Sequence, residues 1–458
     1  MIRIVATAVC LFATLAGVTS ADDQTSPATS AAPSANTSPA TVAGLVEELG
    51  SPSRAVRAEA RRKLLDAGPD VLEHLPPPDV LTDPAIRLAV DAVRTELEGQ
   101  LIDNESQPRR VTLSMEESIA SVVAALEGAT GNSLNLAALP ESLRQRTLAV
   151  DWTDVTWWEA VLDLSRRIEC DIAETASGRG FRLVPLADDR PSPVMTSSGP
   201  YLLSLSEATT RDLRTSGGDR QLVRLHCRLL AEPRLRPLFL EVDSQAITVR
   251  SGDAILPSFN PSAVQSFDFA DRSGVSFRLD CVAQPDDTLR ELTLQGTLRC
   301  DVAAATREVR FAGLADGLPI SRRHGGVTLS LVEVTELSRE TAAAGRNVNG
   351  SVDLAANWIV RYAKGGRAFE SHRVSALHRE VWWQADDGRR VGAGDDLRLT
   401  LEQDGAVATR FSFRGLPANW RDGSFVYVVP LGVPTIEIPF KLVTTERAAS
   451  VDAEQPVP

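Results

Sequence analysis

Hydrophobic and polar positions change their spacing several times along this chain. From Ile4 to Val18 no residue is charged, and small residues follow at Thr19, Ser20 and Ala21. Residues 22–40, rich in Ala, Ser, Thr and Pro, have no period. Between 41 and 102 apolar residues recur at helical spacing. Val42, Leu45, Val46 and Leu49 mark a first helix, which Gly50 ends. Val56, Ala60 and Leu64 line a second, with Arg57, Arg61 and Arg62 opposite. Pro76-Pro77-Pro78 breaks the chain, and Ile86, Val90, Val93 and Leu97 mark a third helix from about Pro84.

Residues 109–187 mix the two periods. Arg110–Leu113 reads as a strand. Met115, Ile119, Val122, Val123 and Leu126 fall on one helix face that Gly128 and Gly131 close. Short strands follow in "SLNLAAL" and at Thr147–Trp152. Trp158, Val161, Leu162, Ser165 and Ile168 predict a second helix, with Thr156 or Asp154 as its cap. Cys170–Glu174 and Gly180–Val184 then pair around Ser177-Gly178. From 201 to 445 the spacing is two, with turn residues every 8 to 15 positions, as in Leu222–Leu230, Val275–Cys281, Val407–Phe413 and Phe425–Val429.

Two stretches carry a family resemblance. "LVEELGSPSRAVRAEARRKLLDAGPDVLEHL" resembles a HEAT-type repeat unit, and such units stabilise by stacking, so residues 41–102 are expected to dock on the chain or on a partner. In 109–187, "VTLSMEESIASVVAALEGATGNSLNL" and the later Val155, Thr156, Glu159, Ala160 and Leu162 resemble the secretin and TonB short N-terminal (STN-like) domain. That resemblance implies a non-catalytic βαββαβ module of an envelope protein that binds other proteins. No secretin core or long barrel pattern follows it, so ring assembly is not carried over.

The β-rich part reads as duplicated. "GVSFRLD" faces "GAVATRFSF", "LTLQGTLR" faces "FVYVVPL", and "EVRF" faces "IEIPF", at offsets near 130 residues. Two Ig-like β-sandwiches, 201–315 and 325–445, give that period. The fold class expected is therefore multidomain α+β: a small helical repeat, an STN-like α/β module and two tandem Ig-like β-sandwiches. A disordered tail, 446–458, follows.

Composition sharpens the compartment. Arg3, the apolar run and the small residues before Asp22 form a Sec-type signal peptide, 1–21, cleaved after Ala21. Cys10 lies inside that run, too early for a lipoprotein site. Residues 22–40 become a disordered linker. The mature chain is expected in the periplasm or outside the cell, without stable membrane insertion. A net charge of −13 argues against a nucleic-acid partner or attraction to anionic lipid. After cleavage Cys170, Cys227, Cys281 and Cys300 remain, and nothing in their spacing fixes a pairing.

Candidate chemistry is sparse. No phosphate loop, GxSxG elbow, HExxH helix or SxxK motif occurs, and only three of the 48 basic residues are lysine. Glu370, His372, His378 and Glu380 share parity in "FESHRVSALHREVWW", and imidazole and carboxylate suit zinc. On a straight strand the two histidines stand roughly 20 Å apart, so they share a metal only if the chain turns back at Arg373–Ala376. Asp386-Asp387-Gly388 and Asp395-Asp396 read first as turns and secondly as a weak calcium site. His226-Cys227 reads as strand packing, and His324 lies in a Gly-rich loop beside Arg322 and Arg323. No cofactor, metal or enzymatic activity is expected. The expected role is protein interaction within a cell-envelope complex, with an envelope protein as partner. Trp157, Trp158, Trp382 and Trp383 are the candidate contact surface. The alternative is a glycan or cell-surface ligand held by the sandwiches near Trp382 and Trp383.

Overall fold

The computed structural model describes residues 38–76, 80–186, 193–215, 218–270, 272–284, 291–324, 326–337, 351–362, 380–394, 398–403 and 405–444. The expected signal peptide, linker and tail lie outside them, apart from the last residues of the linker. The architecture is mixed α+β: N-terminal helices precede several mostly antiparallel sheets.

Helices α1 (Pro39–Leu49), α2 (Arg54–Asp66) and α3 (Pro84–Ser106) form the first part. Ser38 Oγ accepts from Thr41 N at the start of α1, and Asp83 accepts from Ala85 N and Ile86 N at the start of α3, satisfying backbone donors a helix leaves open. The expected apolar stripes make one core around Val42, Leu49, Ala60, Leu64, Val90, Val93 and Leu97. Val56 is the exception, exposed at the start of α2.

The next part runs β1 (Arg110–Ser118), α4 (Ile119–Thr130), β2 (Leu134–Asn135), α5 (Glu141–Arg144), β3 (Thr147–Thr156), α6 (Trp157–Arg167), β4 (Cys170–Glu174) and β5 (Phe181–Pro185). β1 pairs antiparallel with β3, while β5 lies between β2, parallel to it, and β4. Met115, expected on the helix, belongs to the strand. Ser118 sets the boundary because its Oγ accepts from Ser121 N and caps α4. A capping box of Thr156 and Glu159 opens α6.

Strands β6 (Val194–Ser198), β7 (Tyr201–Thr215), β8 (Gly218–Ala231), β9 (Pro237–Asp243), β10 (Ile247–Ser251), β11 (Ala254–Leu256), β12 (Val264–Asp268), β13 (Gly274–Ala283) and β14 (Leu292–Val302) follow. Then come β15 (Ala305–Phe311), β16 (Ile320–His324), β17 (Val327–Glu336), β18 (Val352–Tyr362), β19 (Val381–Gln384), β20 (Arg390–Gly392), β21 (Arg398–Gln403), β22 (Ala406–Leu416), β23 (Ser424–Gly432) and β24 (Thr435–Val443). The sheet ordered β13-β8-β7-β6 shares a core with the sheet ordered β11-β10-β14-β9-β12. The sheets β15-β23-β19-β20 and β16-β17-β18-β22-β21 share another, centred on Trp358 against Phe311 and Tyr427.

The boundary between these sheet pairs differs from the expected one. β15, assigned by sequence to 201–315, pairs with β23 in the second pair. β24, assigned to 325–445, pairs along β14 and puts Ile438, Phe440 and Leu442 into the first core. The two segments aligned as duplicates have thus exchanged places. An alternating strand records that one face is buried, and not which sheet it completes. Pro439 fits because β24 pairs on one side only, where a missing N–H costs no ladder bond.

Buried ionic contacts tie the parts together. Between β8 and β9, Glu232 is fully buried. It accepts from Arg109 N at 3.1 Å, Asn132 Nδ2 at 3.0 Å and Arg234 Nε at 2.8 Å. Arg234 also donates to Glu105 O at 2.6 Å and to Gln107 O, and so anchors the end of α3. Glu174, at the end of β4, is paired with Arg228 on β8 and with Arg272 at 2.7 Å. Gly274 makes that approach possible, because a Cβ there would collide with Glu174 Oε1 and Leu230 Cδ2.

The helical segment docks on the second sheet pair. Ile102 fills the space left by Gly432 on β23, and Arg307 on β15 stands 3.9 Å from buried Glu98 on α3. Neither Glu98 oxygen has a hydrogen-bond partner among the described residues. Burial raises the Glu98 carboxyl above its ordinary value, outweighing the pull of Arg94 and Arg307, with Asp91 adding to the rise. A raised carboxyl contributes stability that is full below its unfolded value and is lost as pH rises through the folded one. Glu98→Gln, which cannot ionise, is expected to match the wild type in urea midpoint at about pH 4 and to exceed it increasingly toward about pH 8. A midpoint depressed equally at every pH would show that the ionised carboxylate is instead an attractive partner of the arginines.

Candidate functional site

Three of the four candidate tryptophans, Trp157, Trp158 and Trp383, are core residues. Trp157 and Trp158 open α6 and are both 0% exposed, their ring centroids 4.5 Å apart, with Phe181 5.0 Å from Trp158. Trp158 Nε1 donates to Pro200 O at 3.1 Å, which fixes the helix against the start of β7. Trp383 is 1% exposed and donates to Trp420 O at 2.9 Å. Trp382, its neighbour on β19, is half-buried under Arg390, whose Cζ lies 4.7 Å from the ring centroid. The tryptophans therefore form no exposed aromatic strip. A large apolar ring is worth more in a core than at the surface, and Trp157, Trp158 and Trp383 serve α6 and β19 in that way.

Of the candidate metal residues, Glu370, His372 and His378 lie outside the described residues. Glu380 is described and stands 3.8 Å from Arg236. Asp387 accepts from Arg389 N at 2.9 Å as part of a hairpin turn, and Asp395-Asp396 lies outside the described residues. Among the described residues no three His, Cys, Asp or Glu side chains gather as a metal would require. Cys170, Cys227, Cys281 and Cys300 are buried thiols. Burial pushes Cys227, Cys281 and Cys300 up to about 12, far from the thiolate form that gives cysteine its reactivity. No described helix is long and apolar enough to cross a membrane.

The outward face of the first sheet pair holds the site with most chemical content. Inward positions of β7, β8 and β13 fill the core with Leu203, Leu205, Leu225, Cys227, Leu229, Phe277 and Leu279. The alternate positions therefore share the opposite face: Ser204 and Ser206 on β7, with Glu207 brought opposite His226 by a bulge after Leu205, then Arg224, His226 and Arg228 on β8, and Ser276, Arg278 and Asp280 on β13. His226 and Arg278 are directly opposed across β8 and β13.

One end of this face is covered by residues 110–185, whose core takes in Leu202 and Leu230. Beside that contact lies an open cavity of about 620 Å³, within the usual range for small-ligand sites. Its walls are Ile172, Met195, Leu230 and Phe267, and its floor carries His226, Arg228, Arg278 and serine hydroxyls. No acidic side chain lines it among the described residues. The flanking arginines are neutralised. Arg224 holds Asp280 through two bonds of 2.9 Å, and Arg228 pairs with Glu174. Ser206 Oγ donates to His226 O at 3.1 Å.

A second cavity of about 200 Å³ adjoins it, sharing Gln265 and Arg278. Phe259 lines it and is 56% exposed, and Ile255 and Val264 beside it are similarly open. Residues 109–186 carry one exposed large apolar side chain, Leu186.

In the sequence His226 reads as packing, and Ser206, Ser276 and Arg278 carry no signal that singles them out. The alternation that sends them outward was readable. Their convergence was not, because it depends on the order β13-β8-β7 and on the Arg224–Asp280 and Arg228–Glu174 pairs. Comparison of the chain with protein-family models, with curated proteins and with solved structures found no match.

Proposed function

We propose that this chain is a non-enzymatic, exported scaffold that binds a protein of the cell envelope as an accessory of a larger complex. In this reading residues 41–102 are a HEAT-type unit, 109–187 an STN-like module, and the sheet pairs Ig-like sandwiches that have exchanged their last strands. The observation that carries it is the way the parts are joined. Glu232, Glu174 and Glu98 sit at junctions between parts, buried and facing arginine. The exchange of β15 and β24 adds a backbone link between the sheet pairs. Such joints hold separate surfaces at fixed spacing, which a scaffold needs.

The apolar run from Ile4 to Val18 behind Arg3, read as a signal sequence, supports export, and the net charge of −13 supports solubility. The glycan alternative loses its aromatic strip with the burial of Trp383. The test is crosslinking in cells with the tagged full chain, followed by reconstitution of the captured protein with the purified chain. One envelope protein is expected, recovered in near-equal amount and bound directly with a Kd of about 1 μM or tighter. Failure of any captured protein to bind the purified chain directly sinks the reading.

A further inference from the structure

We propose that the cavity over β7, β8 and β13 binds a small organic oxyanion, a carboxylate or phosphate head carried on an apolar body. The proposal does not depend on the scaffold reading.

The head group is specified by His226 and Arg278. They face each other across an antiparallel pair, which places their Cβ atoms about 5 Å apart on one face. Neither side chain has a hydrogen-bond or ionic partner among the described residues, whereas the arginines on either side, Arg224 and Arg228, are each matched by a carboxylate. A guanidinium presents a planar fork of donors that fits carboxylate and phosphate alike, and a neighbouring imidazole adds a further donor. The Ser276 hydroxyl is exposed beside Arg278 on the same face of β13. No carboxylate belongs to the lining; Glu207, opposite His226 in the register, is exposed and is the nearest acid along β7.

The apolar body is specified by the walls. Met195, Ile172 and Leu230 come from the edge of the core that joins residues 110–185 to the sheet, and Phe267 closes the other side. A strongly solvated inorganic ion uses none of that surface. A ligand with an aromatic or short aliphatic body buries apolar area against it. On a chain of net charge −13, a groove lined by arginine and histidine without acid is a local reversal of sign.

The experiment is calorimetric titration of the full mature chain with phenyl phosphate, benzoate and inorganic phosphate at fixed salt. Phenyl phosphate or benzoate is expected to saturate with a Kd between about 10 μM and 1 mM, and inorganic phosphate to bind more weakly. The relative affinity of the first two distinguishes a phosphate head from a carboxylate head. Arg278→Ala, a change at an exposed side chain, is expected to weaken binding about tenfold or more, with the melting temperature unchanged. Arg61→Ala on α2 is expected to leave it unaltered. No saturable binding of any probe overturns the proposal, as does equal weakening by both variants, which would indicate diffuse charge attraction. Inorganic phosphate binding as tightly as phenyl phosphate overturns the apolar part.

Discussion

Replacing Phe440 with alanine is expected to loosen the sheets of residues 194–302 and to leave the neighbouring sheets, from which β24 emerges, comparatively firm. Phe440, Ile438 and Leu442 are buried in the first core. Their strand runs in register along β14 from Thr293–Val443 to Asp301–Thr435. Thr444 fastens its far end, donating to Leu292 O and accepting from Leu292 N, each at 2.8 Å. Truncating a buried phenylalanine costs about 3–5 kcal/mol through lost burial and the cavity left behind. Amide exchange gives the location. In Phe440→Ala, protection is expected to fall first along β14, β10 and β9, while β18 and β22 keep theirs. Earlier loss in β18 and β22 would mean that β24 supports the second pair.

That strand also shows where sequence reading stops. The helices at 39–49, 54–66 and 84–106 were legible because each carries an apolar stripe that needs no knowledge of the partner surface. The strands were legible for the same reason, since alternation is local. The exchange of Glu308–Phe311 and Ile436–Phe440 between sheet pairs was not, because each segment offers an equally good apolar edge to either core. The groove followed the same rule. Every outward residue could be read from parity, yet which arginine keeps its charge unmatched depends on Asp280 and Glu174. One of these lies on an adjacent strand and the other on a different part of the chain. The tryptophans misled in the opposite direction: paired aromatic residues look like a contact strip in one dimension, and in three Trp157, Trp158 and Trp383 close the cores around α6 and β19.

Replacing Glu232 with alanine is expected to cost about 3–5 kcal/mol, the usual penalty for removing one member of a buried ionic contact. The loss comes from what stays behind. Arg234 is 9% exposed in its side chain, and Asn132 is fully buried. Without the carboxylate, Asn132 Nδ2, Arg109 N and Arg234 Nε lose their acceptor, and burial prevents water from replacing it without rearrangement. Glu232 is held under opposing forces. Burial raises its carboxyl above the ordinary value, while Arg234, Asn132 and the Arg109 amide pull it down. Acid therefore does not release this joint as it would a paired surface carboxylate: the contribution is full below the unfolded value and declines as pH rises through the folded one. The double variant Glu232→Ala with Arg234→Ala is expected to cost less than the sum of the two single changes, since it removes Arg234 Nε together with its acceptor, the remaining Arg234 ionic contact being to Glu105 at 3.1 Å. Additive costs would show that the two side chains do not act together. Because Glu232 closes the end of β8, whose His226, Arg228 and Leu230 line the groove, the single variant is also expected to weaken phenyl phosphate binding. Both measurements then read the same joint, one through stability and one through the shape of the groove wall.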